Sequence, residues 1–443
     1  MGTPRPAKPA PPALSRRTLL RAGALGAAGL GIAALAGCAS PAAASTDITF
    51  WHLMTGGDGE RMNTIVNRVN RELTGARVDQ TVLAWGSPYY TKLAMASAGG
   101  RAPDLGIMHL SRLAGYAPGG LLDAWDFDRM GRYGVSKDSF TNPTWDRMQF
   151  DGDTFAIALD SHAFVRFFNP EIADKAGVLG SDGKLLPTTT IDEFIEQAEA
   201  LRGATGKLGL SYGWLGDGST MWRLFWTFYT QLGGAMSMTG RDFRFDKDPF
   251  ITAVVSMQKI LSSKAVNRRS DGGFGFSAFT SGQTGEMLGG VWELTGLQGS
   301  KIPLDASPIP NLFGTKNQAA WGDSHAFVLP HQSDPDESRR EKAYEAVSLI
   351  LKASFPWAGA GHTPAYQPIV EEERFTKLLP NAHYAETAGY LQYDPALPFA
   401  GSGSNWQNSF GQAIQGALLG TETATQAMSS FERITSSYAQ HAV

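Results

Sequence analysis

The chain of 443 residues contains a single cysteine, Cys38, and therefore cannot form an internal disulfide. This absence excludes a small disulfide-stapled fold and any zinc site built from several cysteines. The sequence has no H-E-x-x-H pattern, and its eight histidines are scattered along the chain. We therefore predict no transition metal and no other cofactor. These absences do not exclude calcium, because calcium binds oxygen ligands rather than cysteine or histidine.

Basic residues are also scarce for a protein of this length. Lysine and arginine together number 38, against 42 acidic residues, and the formal net charge is −4. The first 37 residues hold five basic residues and no acidic one, so the remainder of the chain carries −9. Because nucleic-acid binding requires clustered Lys and Arg, we exclude nucleic acid as a partner. The acidic balance favours a neutral or cationic ligand.

The apolar run at 22–37 is too short to cross a bilayer, since a spanning helix needs roughly 20 apolar residues. It follows the pair Arg16-Arg17 and ends in small residues at Cys38, which is the layout of a bacterial export signal with a lipobox. We predict a twin-arginine lipoprotein signal at 1–38, with Cys38 cut and lipidated, and a flexible tether at 39–46. The mature protein is then expected at the extracellular face of the cytoplasmic membrane, anchored by its lipid.

What the remaining sequence does contain is an alternation of strands and helices. A strand at 47–52 leads through a glycine turn into a helix that ends near Gly75, and a second strand follows at 77–85. Ser87 then has the position of an N-cap for a helix that runs to residue 98, and a third strand follows at 104–109. This order predicts a largely parallel sheet with helices on both faces, and about 400 residues suggest two domains.

The pattern changes near Asp151. Two strands, 154–159 and 163–168, lie nearly end to end with residues 160–162 as the link between them. Thr190 and Glu193 then have the spacing of a capping box. Ser219 is expected to cap a helix so rich in aromatic residues on every side that it should be buried.

Several segments, taken in order, resemble the solute-binding proteins of bacterial ABC importers, the large family that carries maltose and other sugars. The first is DGDTFAIALDSHAFVRFFNP at 151–170. The other segments lie at 186–201, 279–294, 319–330 and 361–368. Two residues depart from the pattern of the family, which usually has Tyr where Phe168 stands and a small residue where Glu286 stands.

The resemblance implies an α/β fold of the type II periplasmic-binding-protein class, in which two lobes enclose a ligand cleft and crossing segments join them. It also implies a monomer that closes around its ligand and then engages the transmembrane subunits of an ABC permease. The crossings would fall near 160–162, 322–324 and 356–362. The N-terminal lobe would comprise 47–160 plus 323–355, and the C-terminal lobe 162–322 plus 360–443.

A sugar presents hydroxyls at its rim and C–H bonds on its faces, so a sugar site needs planar polar side chains and aromatic rings. The aromatic candidates are Trp85, Trp222, Trp292 and Trp406, and the resemblance places an aromatic residue at the position of Trp292 against the ligand. The polar candidates lie in predicted crossings or strand-to-helix turns. They are His52, Asp58, His109, Asp160, His162, Glu293, Asp323, His325 and His362. The alternatives are a core position for Trp222 and for Trp292, a hinge ion pair for Asp160 and His162, and an N-cap role for Asp58.

We interpret the protein as a lipid-anchored receptor that captures a neutral di- or oligosaccharide and catalyses no reaction. A non-sugar solute, such as glycerol phosphate or a peptide, is the nearest alternative. A glycosidase with paired carboxylates is a further one. The sequence at 209–213 also matches the G-x-S-x-G motif of esterases, which requires a strand before the serine and a helix directly after it.

Overall fold

The structure is a computed structural model that describes residues 46–442. The predicted signal at 1–38, with Cys38, and the predicted tether up to Ser45 lie outside the described residues. In the part of the chain that the structure describes, every helix is either too short or too polar to cross a membrane.

The strands are short, and most have two to six residues. In chain order they are β1 (Ile48–His52), β2 (Val78–Val82), β3 (Leu105–His109), β4 (Leu122–Asp123), β5 (Gln149–Phe150), β6 (Asp153–Thr154), β7 (Ala156–Ala158), β8 (Asp160–Phe168), β9 (Leu210–Tyr212), β10 (Met236–Thr239), β11 (Asp242–Phe245), β12 (Glu286–Gly290), β13 (Asp305–Pro308), β14 (Ala320–Asp323), β15 (His325–Pro330), β16 (Thr363–Pro364) and β17 (Leu391–Gln392).

The helices range from single turns to 18 residues. They are α1 (Gly56–Glu72), α2 (Ser87–Ala98), α3 (Phe127–Arg132), α4 (Asn142–Arg147), α5 (Pro170–Lys175), α6 (Ile191–Thr205), α7 (Gly218–Gln231), α8 (Lys247–Ser262), α9 (Gly272–Thr280), α10 (Leu294–Gly299), α11 (Glu337–Lys352), α12 (Phe355–Ala358), α13 (Gln367–Val370), α14 (Glu373–Thr376), α15 (Asn381–Tyr384), α16 (Asn405–Leu419) and α17 (Ala424–His441).

Two larger sheets organise these elements. The first has the order β2-β1-β3-β15-β4, and β7 also pairs with β15. Its strands β1, β2 and β3 are parallel, as the alternation of strands and helices predicts, whereas β15 runs antiparallel to β3. The second sheet has the order β17-β14-β8-β12-β9, and β13 and β16 also pair with β8.

The chain passes between the two sheets through extended backbone. Only Leu159 separates β7 in the first sheet from β8 in the second, and only Ser324 separates β14 from β15. The prediction that residues 160–162 form a link between strands is therefore wrong, because these residues begin β8 and pair with β14 and β16. Each of these residues pairs with one neighbouring strand, so the segment is extended and contains no turn.

Hydrophobic burial follows the predicted periodicities. Phe50, Ile107 and Phe327 belong to the core on the first sheet, and the apolar face of α1 packs into the same core. A second core surrounds α7, whose five aromatic residues are all buried, as expected of a helix that is apolar on every side. The predicted buried helix is thus confirmed.

The predicted caps have mixed outcomes. Thr190 and Glu193 form the expected capping box at the start of α6. Ser87 and Ser219 are instead helical residues, because Gly86 is the N-cap of α2 and Asp217 is the N-cap of α7. The carboxylate of Asp217 accepts a hydrogen bond from the backbone N–H of Thr220. This is the capping bond that the side chain of an N-cap serine would otherwise accept.

Glu286, one of the two departures from the family pattern, has a partner inside the second sheet. The Nε and Nη2 atoms of Arg166 donate to its two carboxylate oxygens at 2.7 and 2.8 Å, and Nη2 also donates to Gln197 Oε1. Both residues are buried, and Arg166 lies on β8 beside β12. The bidentate pairing explains how a carboxylate is accommodated there.

Candidate ligand-binding cleft

A cleft of about 480 Å³ lies between the two sheets. Its first wall comes from the segments that follow β1 and β2 and includes Met54, Asp58 and Trp85. Its second wall includes Arg223 on α7 and Trp292 in the 3-10 turn Val291–Glu293 that follows β12. The ends of parallel strands and the starts of helices thus face the cleft, which is the usual ligand position in open α/β sheets.

The two walls touch at the start of α1. A Cβ atom added to Gly57 would lie 2.6 Å from the Cβ of Thr295, which belongs to α10 on the opposite wall. At another edge of the cleft, the hydroxyl of Ser87 donates to the carbonyl of Gly403 and to Asn405. The cleft is therefore bounded by contacts between its walls.

Two indole rings form an aromatic corner in the cleft. The rings of Trp292 and Trp321 are nearly perpendicular, with centroids 6.1 Å apart. The guanidinium of Arg223 lies 4.6 Å from the centroid of Trp292 and 5.0 Å from that of Trp321. The ring of Trp292 lies directly over Gly290, where a Cβ atom would come within 2.0 Å of it. A glycine is required at that position by this close approach.

A buried carboxylate fixes the orientation of Trp321. The Oδ1 atom of Asp394 accepts the indole N–H groups of Trp321 and Trp222, both at 2.7 Å, and its Oδ2 atom accepts from Gln407 at 2.7 Å. Burial and the nearby charge of Asp323 raise the pKa of Asp394 to about 6. Asp394 lies behind the aromatic corner and holds it in place.

Charged groups of both signs face the cleft. Burial raises the pKa of Glu293, although Arg223 and a hydrogen bond from Trp292 oppose that shift. Burial lowers the pKa of Arg223, and the charges of Asp217 and Asp394 act in the opposite direction. The Nε atom of Arg223 has no hydrogen-bond partner among the described residues. Arg223 and Glu293 thus place a guanidinium and a carboxyl group at the same corner of the cleft lining.

Three imidazole rings lie side by side at the floor of the cleft. The ring centroids of His162 and His325 are 4.5 Å apart, and those of His109 and His325 are 4.6 Å apart. Burial lowers the pKa of His162, and burial together with the other two histidines holds the pKa of His109 well below its usual range. His109 and His162 are therefore neutral near pH 7.

Asp160 lies beneath this floor and contacts three histidines. Its oxygens are 3.1 Å from the Nδ1 of His162, 2.8 Å from the Nδ1 of His325 and 3.1 Å from the Nδ1 of His362. It also accepts the backbone N–H of His325 at 2.8 Å and the indole N–H of Trp357 at 2.6 Å. Burial alone would raise the pKa of Asp160, but the three histidines outweigh burial and hold it well below its usual range. We call Asp160, His162, His325 and His362 the Asp–His cluster.

His362 connects the Asp–His cluster to the first wall of the cleft. Its Nε2 atom lies 3.1 Å from the Oδ1 of Asp58. Burial lowers the pKa of His362, but the carboxylates of Asp58 and Asp160 raise it to about 10 overall. Asp58 is not the N-cap of α1, since Thr55 has that position, so the alternative role considered for Asp58 is wrong.

The structure brings most of the predicted site residues to the cleft and leaves the others behind it. Those that line the cleft are Asp58, Trp85, His109, His162, Trp292, Glu293 and His325. The buried residues that support the lining ones are Asp160, His362, His52 and Asp323. The ring of His52 accepts the backbone N–H of Met54, and the carboxylate of Asp323 accepts the hydroxyl of Ser402 at 2.7 Å. Trp222 and Trp406 do not reach the cleft, because both lie in the second core, as the alternative for Trp222 anticipates.

Sequence reasoning missed Arg223, Trp321 and Asp394. Arg223 is the single charged residue of α7, and a lone cation on an otherwise apolar helix is a signal that sequence analysis can detect. Trp321 lies in one of the family-like segments, two residues before Asp323. Asp394 has no comparable signal, because its role depends on partners up to 172 residues away.

The G-x-S-x-G segment does not form an esterase site. Its serine, Ser211, is buried in β9, and its hydroxyl donates to the carbonyl of Glu286 at 3.4 Å. A turn separates β9 from α7, whereas the motif requires a helix directly after the serine. The esterase alternative therefore loses its structural basis.

A family model described as bacterial extracellular solute-binding protein matches residues 57–353, well over half of the chain. Among curated proteins, the lactose-binding protein of Rhizobium radiobacter is 24% identical over 227 residues. That match covers 49% of this chain and 49% of the relative, so the chain spans about half the length of the curated relative it matches.

Solved structures resemble the chain over most of its length. The GacH receptor of Streptomyces glaucescens, studied alone and with acarbose, has a TM-score of 0.73 at 16% identity, covering 89% of this chain and 98% of its own. Maltose-bound MalE3 of T. maritima has a TM-score of 0.72 at 14% identity, covering 90% and 100%. The cyclic alpha-maltosyl-1,6-maltose binding protein of Arthrobacter globiformis has a TM-score of 0.68 at 18% identity, covering 89% and 99%. These similarities confirm the predicted two-lobe α/β fold of the type II class.

Proposed function

The chain belongs to the family of bacterial extracellular solute-binding proteins, and from that premise we propose that it captures a neutral di- or oligosaccharide for an ABC importer. The observation that carries the proposal is the aromatic corner of Trp292 and Trp321 with Arg223 between the rings. The indole of Trp292, which is only partly buried, suits the C–H face of a sugar ring, and the nearly fully buried Trp321 supports it from behind. A guanidinium fork donates to neighbouring hydroxyl oxygens.

The polar groups around the aromatic corner complete a surface suited to hydroxyls. Glu293 and Asp58 offer acceptors from opposite walls. The neutral rings of His109 and His162 offer one ring nitrogen each, because the Nδ1 of His109 lies 2.6 Å from the hydroxyl of Tyr90 and the Nδ1 of His162 lies 3.1 Å from Asp160. The names of the relatives support a saccharide as the ligand class, since lactose, acarbose and maltose occur among them. We propose binding and release without catalysis.

The proposal is tested by titrating the chain from Ser40 onward with a panel of neutral oligosaccharides. Tryptophan fluorescence is the readout because Trp85, Trp292 and Trp321 line the cleft. We expect a saturable change, with a dissociation constant of about 1 μM, or roughly −8 kcal/mol, and with each sugar recovered whole. Cleaved product would instead indicate a glycosidase, and no response to any sugar would favour a non-sugar solute.

Replacing Trp292 by alanine is expected to weaken binding of the best oligosaccharide by about 1–3 kcal/mol, the contribution of one buried aromatic contact. Circular dichroism should show an intact fold, because Trp292 is only partly buried and lies at the cleft surface. Trp125→Phe is the control, since that ring lies in the core of the first sheet away from the cleft lining. Unchanged affinity in folded Trp292→Ala would remove Trp292 from the site.

The lobe boundaries are part of the same proposal. We assign 47–160 plus 323–355 to one lobe and 162–322 plus 360–443 to the other. The two short connections at Leu159 and Ser324, where the chain passes between the sheets, support these boundaries. We further propose that the protein is a monomer whose closed form engages the permease.

Cys38→Ser is expected to release the protein from the membrane fraction or to block its processing, because a serine hydroxyl cannot accept the thioether-linked lipid. The measurement is metabolic labelling with a fatty acid, followed by fractionation. Cys38 is the single cysteine of the chain, so wild-type labelling reports one site. Normal labelling of Cys38→Ser would contradict both the anchor and the proposed location at the outer face of the cytoplasmic membrane.

A further inference from the structure

The Asp–His cluster brings together groups that the sequence separates by up to 202 residues. Asp160 and His162 begin β8, His325 begins β15, and His362 precedes β16. All four residues are buried, and one ligand-type atom from each lies within 4.8 Å of all the others. Such a set of three imidazoles and one carboxylate is a familiar arrangement around transition metals.

His362 lies between two carboxylates. Its Nε2 atom lies 3.1 Å from the Oδ1 of Asp58, and its Nδ1 atom lies 3.1 Å from the Oδ2 of Asp160. The Nδ1 atoms of His162 and His325 also lie within 3.1 Å of the same Asp160 carboxylate. Four buried side chains of the types that bind transition metals thus converge on one place.

We propose that the Asp–His cluster binds a divalent transition metal ion of the zinc class through three imidazole nitrogens and one carboxylate oxygen. Ligand atoms about 2.0–2.2 Å from a tetrahedral zinc ion are about 3.4 Å apart. The contacts from Asp160 to the three Nδ1 atoms are 2.8–3.1 Å. The four ligand atoms lie within 4.8 Å of one another, so the side chains must turn to bring them to this spacing. The proposal departs from the expectation of no transition metal that the scattered histidines suggest.

The groups around the cluster are those that support metal ligands. The carboxylate of Asp58 lies behind His362, as in the carboxylate–histidine pairs that orient ligating imidazoles. The indole N–H of Trp357 and the backbone N–H of His325 hold the carboxylate of Asp160. A closed, buried, four-coordinate set without an open position is typical of a structural site. The ion would fasten β8, β15 and the segment before β16 beneath the cleft floor.

The test is metal binding by the chain from Ser40 onward after treatment with a chelator and dialysis. We expect one zinc ion per chain in a competition titration with a chromophoric chelator, and visible absorption bands of a tetrahedral complex when Co²⁺ replaces Zn²⁺. His362→Ala is expected to abolish both signals. Asp58→Asn keeps the four ligands and is expected to weaken zinc affinity by about 10–100-fold.

His331→Ala is the matched control, because this half-exposed imidazole is also paired with a carboxylate, Asp123, but lies outside the cluster. We expect its zinc stoichiometry and cobalt spectrum to equal those of the wild type. The proposal is overturned if folded wild-type protein takes up no stoichiometric zinc and gives no cobalt bands, in which case a proton is the cation at His362. Undiminished zinc binding by folded His362→Ala also overturns it. Neither result depends on which solute the cleft binds.

Discussion

Asp160→Asn is expected to lower the free energy of unfolding by about 3–5 kcal/mol, the usual effect of removing one partner from a buried charged set. The amide nitrogen of an asparagine would face N–H groups of Trp357 or His325, so at least one buried donor would lose its acceptor. His362 would also keep only Asp58 as a counter-charge. Chemical denaturation in a buffer that contains a chelator measures the effect without a contribution from metal.

Asp153→Asn is the control for this measurement. Asp153 is exposed on the short strand β6, and a surface substitution of this kind usually changes stability by less than about 0.5 kcal/mol. A loss below about 1 kcal/mol for Asp160→Asn, on the scale of such surface changes, would show that the buried carboxylate is not needed at the crossing. The same variant should bind the cleft ligand less tightly, since Asp160 contacts the floor histidines His162 and His325.

Glu286→Ala is expected to lower the free energy of unfolding by a similar amount, about 3–5 kcal/mol. The substitution leaves the guanidinium of Arg166 buried in the second sheet, with Gln197 as its remaining side-chain acceptor. A desolvated cation without its carboxylate is costly, whereas the cavity left by the Glu286 side chain is a smaller effect. Urea or guanidinium titration, followed by circular dichroism, measures the change.

The double variant Arg166→Met/Glu286→Leu separates the charge effect from the packing effect. Replacing both partners of a buried ion pair by apolar residues of similar size is often nearly neutral. We therefore expect the double variant to recover most of the stability lost in Glu286→Ala. If the double variant is as unstable as the single one, the pair would matter for its shape or its bond to Gln197 rather than for its charge.

Local patterns predicted most elements of the fold. The helical spacing of the apolar residues in α1, the capping box at Thr190 and the all-round apolarity of α7 are properties of short segments. Each is decided by neighbours within a few turns of chain, so a single sequence suffices to detect them. The caps of α2 and α7 were misplaced because more than one polar or glycine residue stands near each helix start, and backbone geometry selects among them.

The candidate site was predicted only in part. His109 ends β3, and Asp58 lies in the first turn of the helix that follows β1, so the parallel strands direct both to the cleft. His325 reaches the same edge because β15 runs antiparallel to β3 and pairs His325 with His109. Trp222 and Trp406 are tryptophans like Trp292 and were predicted as ligand contacts for the same reason, but both pack into the second core. An aromatic residue serves equally well in a core and against a sugar, so its type alone does not distinguish the two.

The sequence by itself determined the class of fold, the order of its elements and the family, because periodicity, turn residues and ordered family-like segments are written along the chain. The tertiary structure alone decided which groups meet. Asp394 holds Trp321 across 73 residues, and Asp160 meets His362 across 202 residues. Such contacts depend on the pairing of β8 with β14 and β16 and on the crossings at Leu159 and Ser324. Which residues of β8 pair with which residues of β14 and β16 is decided by the packing of the whole chain and cannot be read from any single segment.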